Sequence, residues 1–440
     1  MNSDTRTGTV LAGEHAAAPC GPYGERLLHG WYDTGRTADL TEHLGRYGPL
    51  PLSSARSRGA AMPLVRAVEE AGLTGRGGGG FPTGRKLRSV AGAGGPAVVV
   101  ANGMESEPAS HKDEVLLSLA PHLVLDGAVL AAVAVGANVV HLCVPRTRAT
   151  QADQLTAAVA ERRHARLDPV PVKVHTLPHH FVSSEETSLV SWLNGGDARP
   201  LATPPRPFEK GVGKRPTLIG NVETLAHLAL IARCGSAWFR ESGSPRVPGT
   251  TLVTVSGAVV QPGVYEIPAG SPVPTALDRA GGPLGRLGAV LAGGFFGTWL
   301  PVPLSTTALE RGAGVLVALP EGTCGLTETA AALEYLATQS ARQCGPCRFG
   351  LPAVAEDFAA LARGGADAQR IERLHHRLGL LPGRGACSHP DGGARLAASA
   401  LRVFADDVHR HVHTGPCRAA YAPLVLPVPA ARPPKEEEWR

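Results

Sequence analysis

From about residue 60 to residue 245, apolar positions alternate between helical spacing and short unbroken runs. Leu64, Val65, Val68 and Ala71 recur at helical intervals across residues 63–73, with Pro63 at a first-turn position, which predicts a helix. Residues 97–101, 139–144 and 172–176 are short apolar runs, each beside a helical segment, and predict strands of an α/β layer. The longest apolar stretch, residues 123–144, has the length of a membrane span. Asp126, Gly127, Gly136, Asn138 and His141 interrupt it, so it predicts a helix over 122–136 followed by a buried strand, with no direct membrane span. After Thr251 the texture changes to β runs at 252–255, 257–260 and 264–267, bracketed by Pro-Gly turns that predict hairpins, in a small domain reaching about Leu319. Helical periodicity returns at 328–338, 354–361 and 396–408, which predicts a helical bundle.

Composition adds little to this picture. At 440 residues and 43% hydrophobic content the chain suits several globular domains. A net charge of +5 with no long basic run is no nucleic-acid footprint. Residues 1–19 lack an apolar core after a basic start, so no secretory signal is expected and the protein reads as cytoplasmic. Residues 1–58, punctuated by Gly and Pro, predict a loosely structured arm packed on the next domain.

Residues 72–86 are the most distinctive stretch, reading Gly-Leu-Thr-Gly-Arg-Gly-Gly-Gly-Gly-Phe-Pro-Thr-Gly-Arg-Lys. Glycines let backbone N–H groups approach a ligand closely, and a run of them before a helix start and a lysine makes an anion-binding concavity. Gly75-x-Gly77-x-x-Gly80 fits the dinucleotide pattern, but a helix rather than a strand is expected before it. A Walker loop needs adjacent Gly-Lys-Ser/Thr, which Gly84-Arg85-Lys86 does not supply. A flexible linker rarely alternates glycine with cations and ends in Phe-Pro-Thr.

The stretch resembles the flavin loop of the NADH-binding flavoprotein subunit of NADH:quinone oxidoreductase, respiratory complex I, Gly-Arg-Gly-Gly-Ala-Gly-Phe-Pro-Thr-Gly-x-Lys, with Gly79 in place of alanine. Three further segments are similar to that family. Residues 102–113 match Asn-Ala-Asp-Glu-x-Glu-Pro-Gly-Thr-x-Lys-Asp at Asn102, Glu105, Glu107, Pro108, Lys112 and Asp113, with Met104 replacing the aspartate. Residues 181–189 keep Glu185 and Glu186 of Tyr-x-x-Gly-Glu-Glu-Thr-x-Leu, with Phe181 and Ser184 for tyrosine and glycine. Residues 213–225 resemble Gly-Lys-Pro-Thr-x-x-Asn-Asn-Val-Glu-Thr, keeping Asn221 and Thr224, with Gly220 for the first asparagine.

Eight cysteines are present, and in a cytoplasmic chain no disulfide framework is expected. Cys344-Gly-Pro-Cys347, with Cys387 forty residues on, has the spacing of an iron–sulfur or zinc site. It resembles the family's Cys-Gly-x-Cys-x-Pro-Cys-Arg-x-Gly, with Ala341 at the first ligand position. Three outcomes stay open: a cluster with a substitute ligand, including a recruited Cys324 or Cys417; a three-iron cluster; or none. His409, His411 and His413 read as the basic end of a last helix.

The resemblance, over residues 60–412, implies an α/β flavin domain with a Rossmann-like layered sheet at 59–247. A β-grasp (SLBB-type) domain at 248–320, a four-helix iron–sulfur bundle at 321–414 and a tail at 415–440 would follow. It implies an NADH dehydrogenase that oxidises NADH through FMN and passes electrons by an iron–sulfur cluster, 4Fe–4S or 3Fe–4S, to a ferredoxin-like or quinone-linked acceptor. A ferredoxin or thioredoxin-like 2Fe–2S protein would be the partner. Gly75, Arg76, Gly77, Gly78 and Lys86 would hold the FMN phosphate and ring, and Asn102, Glu105, Ser106, Glu185, Glu186, Asn221 and Thr224 its remaining faces. Phe81 and Phe208 would sandwich adenine, and Glu107 and Glu186 would position NADH. Cys344, Cys347 and Cys387 would hold the metal. The alternative is a non-catalytic scaffold of the same fold that has lost flavin or cluster.

Overall fold

The computed structural model describes residues 26–28, 34–55, 62–304 and 314–440. Much of the expected N-terminal arm, residues 1–25, 29–33 and 56–58, lies outside them. Its described part is helical rather than loose, with α1 (Leu40–Tyr47), opened by an Asp39 capping box, and the single turn α2 (Leu52–Ala55).

The first layer then runs α3 (Pro63–Ala71), α4 (Thr83–Gly92), β1 (Ala97–Asn102), α5 (Lys112–Leu119), α6 (Pro121–Val135), β2 (Ala137–Pro145), α7 (Ala149–His164), β3 (Val172–Leu177), α8 (Glu186–Leu193), β4 (Thr217–Asn221) and α9 (Val222–Arg240). The sheet is parallel in order β3-β2-β1-β4. Both of its faces are covered, so β1 is an unbroken apolar run. The apolar stretch at 123–144 divides as expected into α6 and β2. No single described helix is long and apolar enough to cross a membrane.

Helix α6 is buried nearly all round because α9 crosses it closely. A Cβ at Gly127 would lie 1.8 Å from the Leu225 carbonyl oxygen, so only glycine admits that crossing. Beside it, fully buried Asp126 meets His43 Nε2 at 2.8 Å, Arg162 at 2.8 Å and Arg233. Burial opposes its ionisation, but these partners hold its carboxyl below the usual range and tie α1, α7 and α9 to α6.

The second unit comprises β5 (Thr250–Gly257), β6 (Gly263–Pro268), α10 (Val273–Arg279), β7 (Leu287–Ala292), β8 (Thr298–Pro301) and β9 (Val315–Pro320). Its mixed sheet has the order β6-β5-β9-β7-β8. The run at 257–260 is not a strand: Gly257, at φ +80°, ends β5, and Val259 makes only an isolated bridge to Pro283.

The third unit holds α11 (Gly325–Thr338), α12 (Leu351–Ala362), α13 (Ala368–Leu380), α14 (His389–Val403) and α15 (Ala405–His413). The apolar pattern at 396–408 spans a break at Phe404 between α14 and α15. Helix α13 escaped the sequence reading because it buries only Leu374 and Leu378. Cys143, Cys324, Cys344, Cys347, Cys387 and Cys417 carry free thiols, while Cys234 is disulfide-bonded. The segment after α15 runs back along the bundle: Glu328 accepts the N–H groups of Val425 and Leu426 at 2.8 and 2.9 Å, and Trp439 is buried against Val182 and Ala341.

Candidate flavin and iron–sulfur sites

In the order β3-β2-β1-β4 the chain steps outward from β1 through β3 and then returns to β1's other side. The switch point between β1 and β4 is where α/β sheets open a crevice at their carboxyl ends. Asn102 and Asn221 close the two strands there, in register with each other. Asn221 caps α9 by accepting the Glu223 N–H at 3.1 Å. Its amide donates to Asp113 at 2.7 Å, and Lys112 Nζ lies between Asp113 at 2.6 Å and Glu223 at 2.9 Å. This buried charge network ties the start of α9 to the start of α5.

The glycine loop lies against that helix start. Gly75 donates to the Phe81 carbonyl and Thr83 to that of Leu73, both at 2.9 Å, closing residues 75–81 into a tight loop. Arg76 N–H donates to Thr224 Oγ at 2.8 Å, docking the loop on the first turn of α9. At Gly77 an added Cβ would come within 3.3 Å of Asn221 Cβ, whereas Gly79 and Gly80 face open space. The Arg76 guanidinium turns away, donating to the Pro248 carbonyl at 3.0 Å in a buried setting that lowers its pKa. The Arg76 side chain thus anchors the loop. Phe81 stands 54% exposed at the rim, and Phe208 is half-buried against the main core.

Two of the four glutamates are committed to the scaffold. Glu105 accepts from Ser110 Oγ at 2.7 Å, Asp113 N at 2.9 Å and Glu114 N at 3.0 Å, and pairs with Arg148 at 3.2 Å. Its carboxylate thus caps α5. Glu185 caps α8 through the N–H groups of Thr187 and Ser188, at 2.8 and 3.2 Å. By contrast Glu186 is half-exposed and pairs with Lys86, whose Nζ also donates to the Ile219 carbonyl at 2.9 Å. Ser106 Oγ donates to the Phe181 carbonyl at 2.6 Å beside Ser184 Oγ at 2.5 Å, and Asn102 donates to the Ser184 carbonyl at 2.9 Å. Met104 is fully buried in an apolar cluster with Val98, Val100 and Cys143.

Glu107 reaches toward the second unit, accepting from Phe295 N at 2.9 Å and Ala109 N at 3.2 Å. Desolvation pushes its carboxyl up to about 7 against the pull of those N–H groups. Sequence reading missed the aromatic group that joins the three units: Phe181 meets Phe296 at 4.8 Å, His389 at 5.5 Å and Tyr335 at 6.1 Å between ring centroids. No spacing signal links those positions.

His389 follows Cys387 closely, and its backbone N–H donates to the Cys387 sulfur. Burial pushes the Cys387 thiol up to about 11, with the Glu185 carboxylate and the Cys344 thiol adding to the rise. Burial likewise raises Cys347, on the turn that opens α12, with Cys344 and Cys387 as further causes. A cationic iron centre would offset the burial that opposes ionisation of Cys347 and Cys387. Ala341 supplies no fourth thiol. Recruitment of Cys324 is ruled out: it opens α11 while Cys344 follows that helix's far end, and fourteen residues of helix span about 20 Å. Cys417 sits with Cys324.

Residues 68–230 match the Nuo51 FMN-binding domain, residues 252–293 the SLBB domain and residues 327–411 the NADH-ubiquinone oxidoreductase-F iron-sulfur binding region. The second NADH-quinone oxidoreductase F-type subunit of Rhizobium meliloti is 31% identical over 377 residues, 80% of this chain and 90% of that one. The F-type subunit of Streptomyces coelicolor is 32% identical over 372 residues, 79% and 83% of the two chains. The chain belongs to the family of NADH-quinone oxidoreductase F-type subunits. An NAD+-reducing [NiFe]-hydrogenase in the air-oxidised state superposes with a TM-score of 0.77 at 30% identity, over 86% of this chain and 67% of that one. As a diverged F-type subunit, the protein is an FMN-dependent NADH dehydrogenase flavoprotein with an iron–sulfur region, and it works within a multi-subunit oxidoreductase.

Proposed function

We propose that this F-type subunit oxidises NADH at the β1/β4 crevice and passes electrons past Glu185 and the Phe181 aromatic group to a centre on Cys344, Cys347 and Cys387. The observation that carries this reading is the docking of the glycine loop on α9, where Arg76 N–H meets Thr224 Oγ and Gly77 lies against Asn221. FMN, when bound, accepts hydride from NADH and releases electrons singly. Gly77 to Gly80 offer backbone N–H groups to its phosphate beside the positive end of α9. Lys86 supplies the cation, with Glu186 holding the ammonium over the crevice. Asn102, Ser106 and Ser184 form the polar wall. Phe81 offers an exposed ring that would stack on adenine with Phe208, and Glu107 and Glu186 would position NADH. Glu105, Glu185, Asn221 and Thr224 act as positioning residues through the caps they make.

At the metal, Cys344, Cys347 and Cys387 carry free thiols and would hold an iron–sulfur cluster, with Ala341 where the family has a further cysteine. A ferredoxin-like or thioredoxin-like 2Fe–2S protein is the proposed next acceptor, since single electrons leaving a cluster pass to another one-electron carrier.

The loop assignment is tested by titrating FMN into wild type and Gly77→Val while following flavin fluorescence. The larger side chain should push the loop off Asn221 and weaken FMN at least about tenfold, about 1.4 kcal/mol. Equal affinities would move the phosphate elsewhere.

A further inference from the structure

We propose that the chain carries a second, mononuclear metal site of the zinc class, built by Cys324, His411 and Cys417. Their ligand atoms, two sulfurs and one imidazole nitrogen, all lie within 4.8 Å of one another. Cys324 Sγ and His411 Nε2 are 3.8 Å apart. The three residues come from separate places: Cys324 caps α11, His411 lies in the last turn of α15, and Cys417 follows that helix. Cys324 is 2% exposed and His411 fully buried.

The imidazole is oriented as metal-bound histidines are. Its Nδ1 faces the Leu361 carbonyl at 3.2 Å and so carries the proton, leaving the Nε2 lone pair turned to the sulfurs. Thr327 donates its hydroxyl to Cys324 Sγ at 3.4 Å, a bond that favours the thiolate. The Cys417 N–H, now 3.1 Å from Nε2, would turn to a sulfur once an ion takes the lone pair.

Two thiolates and an imidazole select zinc among the common divalent ions. Bonds of about 2.3 Å to sulfur and about 2.0 Å to nitrogen suit donors this close together. Cluster ligands stand further apart, around several metal atoms, so this site is distinct in kind from the cysteines beyond the other end of α11. Among the described residues no fourth His, Cys, Asp or Glu joins the group, and a water would complete the tetrahedron around a bound ion. Binding releases the two thiol protons. The ion would tie the start of the returning segment to α11 and α15, next to the place where Glu328 holds Val425 and Leu426.

The test is metal counting on the full-length purified protein, with zinc and iron read from one sample. The expected result is about one zinc per chain in wild type and in Cys344→Ser, since the site needs no ligand from the iron centre. Zinc should fall at least tenfold in Cys417→Ser and His411→Gln while iron is unchanged. Cobalt added to zinc-depleted wild type should give thiolate charge-transfer absorption and the visible bands of a tetrahedral ion, a readout independent of whether any variant folds. Zinc-free wild type that gives no cobalt bands would overturn the proposal. So would zinc persisting in Cys417→Ser, or a Cys324–Cys417 disulfide found in the native protein.

Discussion

Trp439 shares one buried apolar cluster with Ala341, and Val182 completes it around the position where the family places its first cluster cysteine. The indole lies 4.4 Å from the His180 ring and 4.6 Å from the Arg199 guanidinium, and its backbone carbonyl accepts the Ala198 N–H at 2.8 Å. The C-terminal segment thus encloses the neighbourhood of position 341 in an apolar cluster. Ala341→Cys alone should leave the iron content unchanged, because the new sulfur would face the indole. Ala341→Cys combined with Trp439→Ala should raise it. A rise in the single variant would show that the indole does not block the position.

Removing that indole should also be costly by itself. Trp439 is 1% exposed, and truncating a buried Trp to Ala costs about 3–5 kcal/mol. Trp439→Ala should lower the urea midpoint of unfolding clearly. A variant with the wild-type midpoint would mean that the segment is not part of the stable structure.

Lys86→Met removes the cation that Glu186 and the Ile219 carbonyl hold at the crevice. Both partners are partly exposed, so thermal stability should scarcely move. FMN affinity should drop at least about tenfold, about 1.4 kcal/mol. Equilibrium titration alongside a melting curve separates the two effects. A lower melting temperature with unchanged FMN affinity would make Lys86 a structural residue.

Glu107 sets a pH signature. Its folded pKa of about 7 stands above the usual glutamate value of about 4.3. The folded state therefore binds the extra proton, and this contribution is complete below the ordinary value and lost as pH rises through 7. Glu107→Gln abolishes the titration. The melting temperature of the variant relative to wild type should climb between pH 5 and pH 8. A flat difference across that window would leave Glu107 with an ordinary pKa.

Much of this was legible in the sequence, for a physical reason. The buried strands β1 and β2 read as short apolar runs, the edge strand β3 as a shorter signal beside them, and the glycine loop and the Cys-x-x-Cys turn are local signals. β4 was read only as a helix opening, because its five residues merge with the Asn221 cap. The glutamates show what a motif cannot tell. Glu105 and Glu186 look equally ready for a ligand, yet one caps α5 and the other faces the crevice, a difference set by tertiary contacts. Arg148, Tyr335, His389 and Trp439 reach the sites from distant segments, with no spacing to reveal them. His411 read as a basic helix end because its two cysteine neighbours lie 87 residues before and 6 residues after it.

NADH oxidation through bound FMN is tested most directly by an absorption spectrum of anaerobically purified, FMN-loaded protein before and after addition of NADH. The flavin bands should bleach within the mixing time, with loss of the iron–sulfur absorbance following in the same sample. A protein that takes up no FMN, or whose bound flavin stays oxidised under excess NADH, would contradict the dehydrogenase reading and leave the non-catalytic scaffold.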